Sequence, residues 1–88
     1  MHRIMLYLKP DCPNCETTRE MITRLVSSHA DVLVEEVDIT KNPQLLVKFK
    51  DVVPVLFVDD VERFRGHVDP DKLSQIFYDE LGEKFIGF

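Results

Sequence analysis

Cysteine is scarce in this 88-residue chain: there are two, Cys12 and Cys15. Disulfide-dependent mini-proteins are far richer in it, so the fold has to rest on a packed apolar core. Hydrophobic residues make up 44% of the chain, enough for such a core. At this length cores rarely divide, so residues 1–88 read as one domain. Basic residues are also in the minority, 11 Lys and Arg against 16 Asp and Glu, for a formal net charge of -5. Nucleic acids and anionic membranes require a basic face, so neither is an expected partner. No apolar run approaches the ~20 residues of a membrane span. The opening "MHRIMLYLKP" has too short an apolar stretch for a signal peptide and reads as a strand. Nothing directs the chain out of the cytosol, so the expected location is cytoplasmic, where stable disulfides are rare. There is no glycine-rich phosphate loop, so no nucleotide cofactor is expected, and there are no repeats or low-complexity tracts.

What is present alternates between two periodicities. "RIMLYL" (Arg3 to Leu8) is a near-continuous apolar run, as in a strand covered on both faces. Thr18, Met21, Ile22, Leu25, Val26 and His29 fall on one stripe, which predicts an amphipathic helix from about Cys12 to Ser28. "DVLVEEVDI" returns to strand character. Asn42 as N-cap and Pro43 at the first position open a short helix with Leu45, Leu46 and Phe49 inward. "VPVLFV" reads as a buried strand, and "VERF", after an Asp59-Asp60 turn, as its hairpin partner. Asp69 and Pro70 open a last helix with the stripe Leu73, Ile76, Phe77 and Leu81, and Gly82 fits as its C-cap. The tail "EKFIGF" has no assignment. The expected fold is α/β, in the order β-α-β-α-β-β-α, with a mixed four-stranded sheet and helices on both faces.

The two cysteines lie where the first strand gives way to the first helix, in "LKPDCPNCETT". A helix N-terminus presents unpaired N–H groups and the positive end of the macrodipole, and both stabilise a thiolate. Pro13 suits the first turn, where its missing donor costs nothing. Cys15 is one turn on, on the same face and within disulfide reach. Cys12 is thus placed to attack and Cys15 to resolve. Lys9 favours the Cys12 thiolate, whereas Asp11 and Glu16 disfavour it. Two other readings stay open. One is a buried structural pair of thiols. The other is a metal or iron–sulfur centre shared by two subunits, since His2, His29 and His67 are too scattered to complete a site within one chain.

A second signal is Pro54, at the start of a strand where proline is normally excluded. A strand beginning just after a turn would accommodate it. So would a cis Val53-Pro54 bond facing the cysteine helix, which leaves the Val53 backbone free to pair with an extended, cysteine-bearing substrate.

Together, the strand, the "CPNC" helix, "VVP", the hairpin and the final helix resemble the thioredoxin fold. More narrowly they resemble the glutaredoxins and small glutaredoxin-like proteins, from about Arg3 to Leu81. "KPDCPNC" is similar to the glutaredoxin site and "VVP" to its cis-proline motif. "RGHVDPDKL" stands where glutaredoxins carry a double glycine and an acidic helix start. The resemblance implies a small thiol–disulfide oxidoreductase with Cys12 as nucleophile and Cys15 as resolving thiol. It also implies a substrate groove lined by Lys9, Val53, Pro54, Gly66 and Asp69. Four residues depart from the pattern. Asn14 replaces an aromatic, His67 replaces the second glycine, Pro70 removes an N–H, and Asp71 joins Asp69 in adding negative charge. Each weakens the case for glutathione and leaves the dithiol chemistry intact. The expected substrate is a disulfide in a protein or small molecule. No cofactor is expected to bind tightly, glutathione is at most a weak reductant or a reductase takes its place, and the chain is expected to be a monomer.

Overall fold

The computed structural model describes residues 1–29 and 31–81. The chain runs through β1 (His2–Leu8), α1 (Pro13–Val26), β2 (Val32–Asp38), a 3-10 turn (Ile39–Lys41), α2 (Pro43–Phe49), β3 (Val55–Val58), β4 (Val61–Arg65) and α3 (Pro70–Ile76). A π-helical turn, Phe77–Leu81, continues α3. The strands form one mixed sheet in the order β2-β1-β3-β4. β1 and β2 are parallel, with α1 as the crossover such a pair needs. β3 runs antiparallel to both β1 and β4.

Side-chain alternation sorts β1 between the two faces of the sheet. Ile4, Leu6 and Leu8 point to one face and are buried. Tyr7 points to the other, with its ring 5.0 Å from Phe49 of α2 and 5.6 Å from Phe57 of β3. The segment after α1 meets the π-helical turn through the rings of His29 and Phe77, 5.2 Å apart and edge to face. His29 Nδ1 is also 2.8 Å from the Leu25 carbonyl oxygen, so this histidine closes the end of α1.

The hairpin between β3 and β4 turns on Asp59 and Asp60, both left-handed at φ 49° and 70°. Positive φ at both central residues suits the twist of the flanking strands, and aspartate tolerates it better than most residues. The Asp59 carboxylate also anchors the chain's start: Oδ1 accepts from the Arg3 backbone N–H at 2.8 Å, and Oδ2 is 2.7 Å from His2 Nδ1.

The last helix departs from the sequence pattern. The stripe holds, since Leu73, Ile76, Phe77 and Leu81 are all buried, but α-helical geometry stops at Ile76. In an unbroken α-helix Glu80 would fall on the same stripe, seven residues after Leu73. The wider turn rotates it outward to Arg63, which donates two hydrogen bonds to its carboxylate at 2.7 and 2.9 Å. Arg63 is itself the residue skipped where the β3–β4 register shifts, and such a bulge re-aims a side chain. Gly82 and the tail lie outside the described residues.

Candidate redox site

The sheet registers gather three loops at one end. Tyr7 pairs with Val55, and Val55 pairs with Arg65. Hence the segment leaving β1 (residues 9–12), the one entering β3 (residues 53–54) and the one leaving β4 (residues 66–69) are neighbours. These segments hold all the residues picked out from the sequence as a site except Cys15, which follows on α1.

Asp11, at φ 57°, turns the chain from β1 into α1. Cys12 follows as the N-cap, and its Sγ accepts the Cys15 backbone N–H at 3.2 Å. Its carbonyl oxygen accepts from the N–H groups of Cys15 and Glu16 at 3.0 and 3.2 Å. The sulfur therefore occupies the place a capping oxygen usually takes, where helix donors favour negative charge. Cys12 and Cys15 are joined as a disulfide, with Cα atoms 5.2 Å apart. Their exposure is unequal. Cys15 is 1% exposed, whereas Cys12 is only partly covered.

Two of the charges nearby, Glu16 and Lys9, are already engaged. Glu16 pairs with Arg19 at 3.1 Å, and Arg19 Nε lies 3.2 Å from Glu36 Oε1 on β2. That second contact is an ion pair without hydrogen-bond alignment. Pairing with Arg19 offsets the repulsion Glu16 would exert on a thiolate at Cys12. Lys9 Nζ donates to the Lys50 carbonyl oxygen at 2.8 Å.

The Val53-Pro54 bond is cis, and strand pairing begins only at Val55. Pro54 thus stands just before the strand, where its missing N–H breaks no ladder. Both residues are buried. Among the described residues, Val53 makes no backbone–backbone hydrogen bond. The Pro54 carbonyl accepts from Gly66 N–H at 2.9 Å. Gly66 has φ 82°, a conformation open to glycine at little cost. Asp69 is half-buried and caps α3, with Oδ1 accepting from the N–H groups of Asp71 and Lys72 at 2.9 and 3.2 Å. His67 is exposed and borders a small cleft with Asn14, Thr17, Met21, Val68 and Pro70. That cleft joins the cysteine helix to the start of α3. The sequence pattern did not anticipate the cleft, the turn at Asp11 or the Lys9 contact, because each depends on residues distant in the chain or on a single backbone angle.

A mixed sheet of this order, with a Cys-x-x-Cys disulfide at the head of the first helix and a cis-proline before the third strand, defines a thioredoxin-fold protein. Thioredoxin O2 of Arabidopsis thaliana in its oxidised state superposes with a TM-score of 0.73 at 19% identity, over 93% of this chain and 76% of its own. The oxidised thioredoxin of Plasmodium falciparum gives 0.69 at 12% identity, over 92% and 82% of the two chains. Likeness at that identity establishes the fold. Within it, residues 3–78 match the model of the Glutaredoxin-like domain family. A glutaredoxin-like protein of Dictyostelium discoideum is 35% identical over 81 residues, covering 86% of this chain and 72% of that protein. The chain belongs to the glutaredoxin-like domain family. With a cysteine pair at disulfide distance in that setting, a thiol–disulfide redox role follows in general terms.

Proposed function

We propose that this protein is a small dithiol oxidoreductase in which Cys12 attacks and Cys15 resolves. The carrying observation is the asymmetry of the pair: a partly exposed Cys12 sulfur capped by a helix N–H, and a Cys15 buried behind it. In the reduced protein the Cys12 thiolate attacks one sulfur of a substrate disulfide. That S–S bond breaks, a Cys12–substrate disulfide forms, and the departing sulfur takes a proton. The Cys15 thiol then loses its proton and attacks Cys12 Sγ, which expels the second substrate thiol and forms the Cys12–Cys15 disulfide. Two electrons pass to the substrate, and a thiol or dithiol reductant returns them. The Val53 backbone and the neighbouring Pro54 and Gly66 supply an edge along which an extended substrate can lie.

The test is capture. Replacing Cys15 with Ser removes the resolving step, so a disulfide substrate should stay bonded to Cys12 and be released by dithiothreitol. The Cys12→Ser variant should capture nothing. Equal capture by both variants would sink the assignment of roles.

A further inference from the structure

Lys9 is the cation a substrate carboxylate would be expected to meet, yet its ammonium is held by the protein's own backbone. Nζ donates to the Lys50 carbonyl oxygen at 2.8 Å, across 41 residues of sequence. Lys50 is the C-cap of α2. The last carbonyls of a helix lack partners within it and carry the negative end of its dipole, so a cation settles there.

This contact links two loops of the site. Lys9 directly follows β1 and lies three residues before Cys12. Beyond Lys50, Val52 N–H turns back to the Phe49 carbonyl at 2.9 Å, and the chain enters Val53 and Pro54. On the far side, Gly66 N–H holds the Pro54 carbonyl at 2.9 Å. The segment on which a substrate would lie is therefore fastened to β4 through Gly66 and to the cysteine loop through Lys9. The surroundings of Lys9 disfavour an anionic ligand. It borders a hollow with Glu16, Arg19, Glu36 and Asp38, where the one other cation, Arg19, is already paired with Glu16 and Glu36. A carboxylate approaching Lys9 through that hollow would find three carboxylates of the protein against two cations.

We propose that Lys9 is a positioning residue. Its tie to the Lys50 carbonyl sets the Val53–Pro54 segment relative to Cys12, so that a substrate sulfur laid along Val53 meets Cys12 Sγ. This role is distinct from binding a substrate carboxylate and from tuning the cysteine. This rests on the oxidoreductase reading above.

The experiment compares Lys9→Met, which loses the donor, with Lys9→Arg, which keeps one. Each reduced protein is reacted with a disulfide peptide free of carboxylates, with a glutathione mixed disulfide, and with iodoacetamide, which needs no docking. A misplaced reaction partner can cost up to about a hundredfold, so Lys9→Met should react roughly tenfold more slowly with both disulfides. Its alkylation rate should stay within about twofold of the parent, and Lys9→Arg should behave like the parent in all three reactions. Amide hydrogen exchange at Val52 and Gly66 should accelerate in Lys9→Met and not in Lys9→Arg. A loss confined to the glutathione substrate would make Lys9 a carboxylate ligand and overturn the proposal. A parallel fall in alkylation would make it an activator of the thiolate and overturn it too, as would unchanged exchange in Lys9→Met. If the parent protein reacts with neither disulfide, the oxidoreductase reading falls, and the exchange comparison still decides whether Lys9 holds the segment.

Discussion

At the scale of single residues, the site combines a reactive pair with several neighbours, Lys9, Glu16 and Asp69 among them, whose charged groups are already occupied. The N–H groups at the start of α3 are a natural anchor for an anionic carboxylate in a structure of this kind. Here Pro70 has none, and those of Asp71 and Lys72 are taken by the Asp69 carboxylate. Asp69 and Asp71 add like charge, and His67 places an imidazole on the cleft rim beside Asn14. Glutathione should accordingly be a poor reductant. A lost charge-assisted contact is worth about 1.5–3 kcal/mol, or roughly one to two decades in affinity. A glutathione-coupled assay should run that far below a dithiol-driven one on the same substrate. The His67→Gly, Pro70→Ala double variant, which restores the N–H without adding charge, should regain glutathione activity while its dithiol rate stays level. Equal rates in the parent protein would show that this segment does not limit glutathione.

At the scale of elements, the helix starts share one device. Cys12, Asn42 and Asp69 each sit as an N-cap before a proline, with a side-chain atom accepting from the first turn. The cap on α3 matters because α3 has only seven residues before the π-helical turn, and helices that short depend on packing and caps. Asp69→Ala should lower stability by about 1 kcal/mol, a fall in Tm of about 4–8 °C for a domain of this size. Asp69→Asn, which keeps an acceptor, should lose much less. Thermal unfolding followed by circular dichroism checks both, and an unchanged Tm in Asp69→Ala would remove the cap from the account. The far end of the same segment is tied by Arg63 and Glu80, an ion pair that needs both the bulge in β4 and the wide turn.

At the scale of the molecule, the sheet's edges and termini are laced by acidic side chains bound in their charged form. Hydrogen bonds from Thr40 lower the Asp38 carboxyl below its ordinary value. The hydrogen bond with His2, and then that from the Arg3 backbone, lowers Asp59. Arg65 lowers Glu62, and Arg63 lowers Glu80. Each group holds its proton less tightly folded than unfolded. Their contribution is therefore complete above the ordinary carboxylate range and is lost as pH falls through the depressed native values. The urea midpoint should be level from about pH 7 to pH 5 and fall below about pH 4. Asp59→Asn should flatten part of that fall. A midpoint unchanged at about pH 3 would contradict it. These groups are exposed, so salt should reduce the effect.

Local pattern was enough to place most elements, because strand and helix periodicities, three prolines at helix starts and one cysteine spacing are all short-range signals. The strand–helix junction at Cys12, the stripe from Leu73 to Leu81 and the turn at Asp59 were legible for that reason. Helix ends were less so. α1 stops at Val26 rather than about Ser28, and α3 gives way at Ile76 to a wider turn that brings Glu80 to Arg63 on β4. What the tertiary structure alone decided is which groups remain available. Lys9 reads from the sequence as a free cation before a cysteine, and Asp69 as both cap and groove wall. Folding sets Lys9 on a carbonyl 41 residues away, whereas the Asp69 carboxylate takes the local cap its sequence position already offered. Sequence carries residue types and their near neighbours. A hydrogen bond between distant segments exists only once the sheet has brought their ends together, and the sheet register decides which side chains are left to meet a substrate.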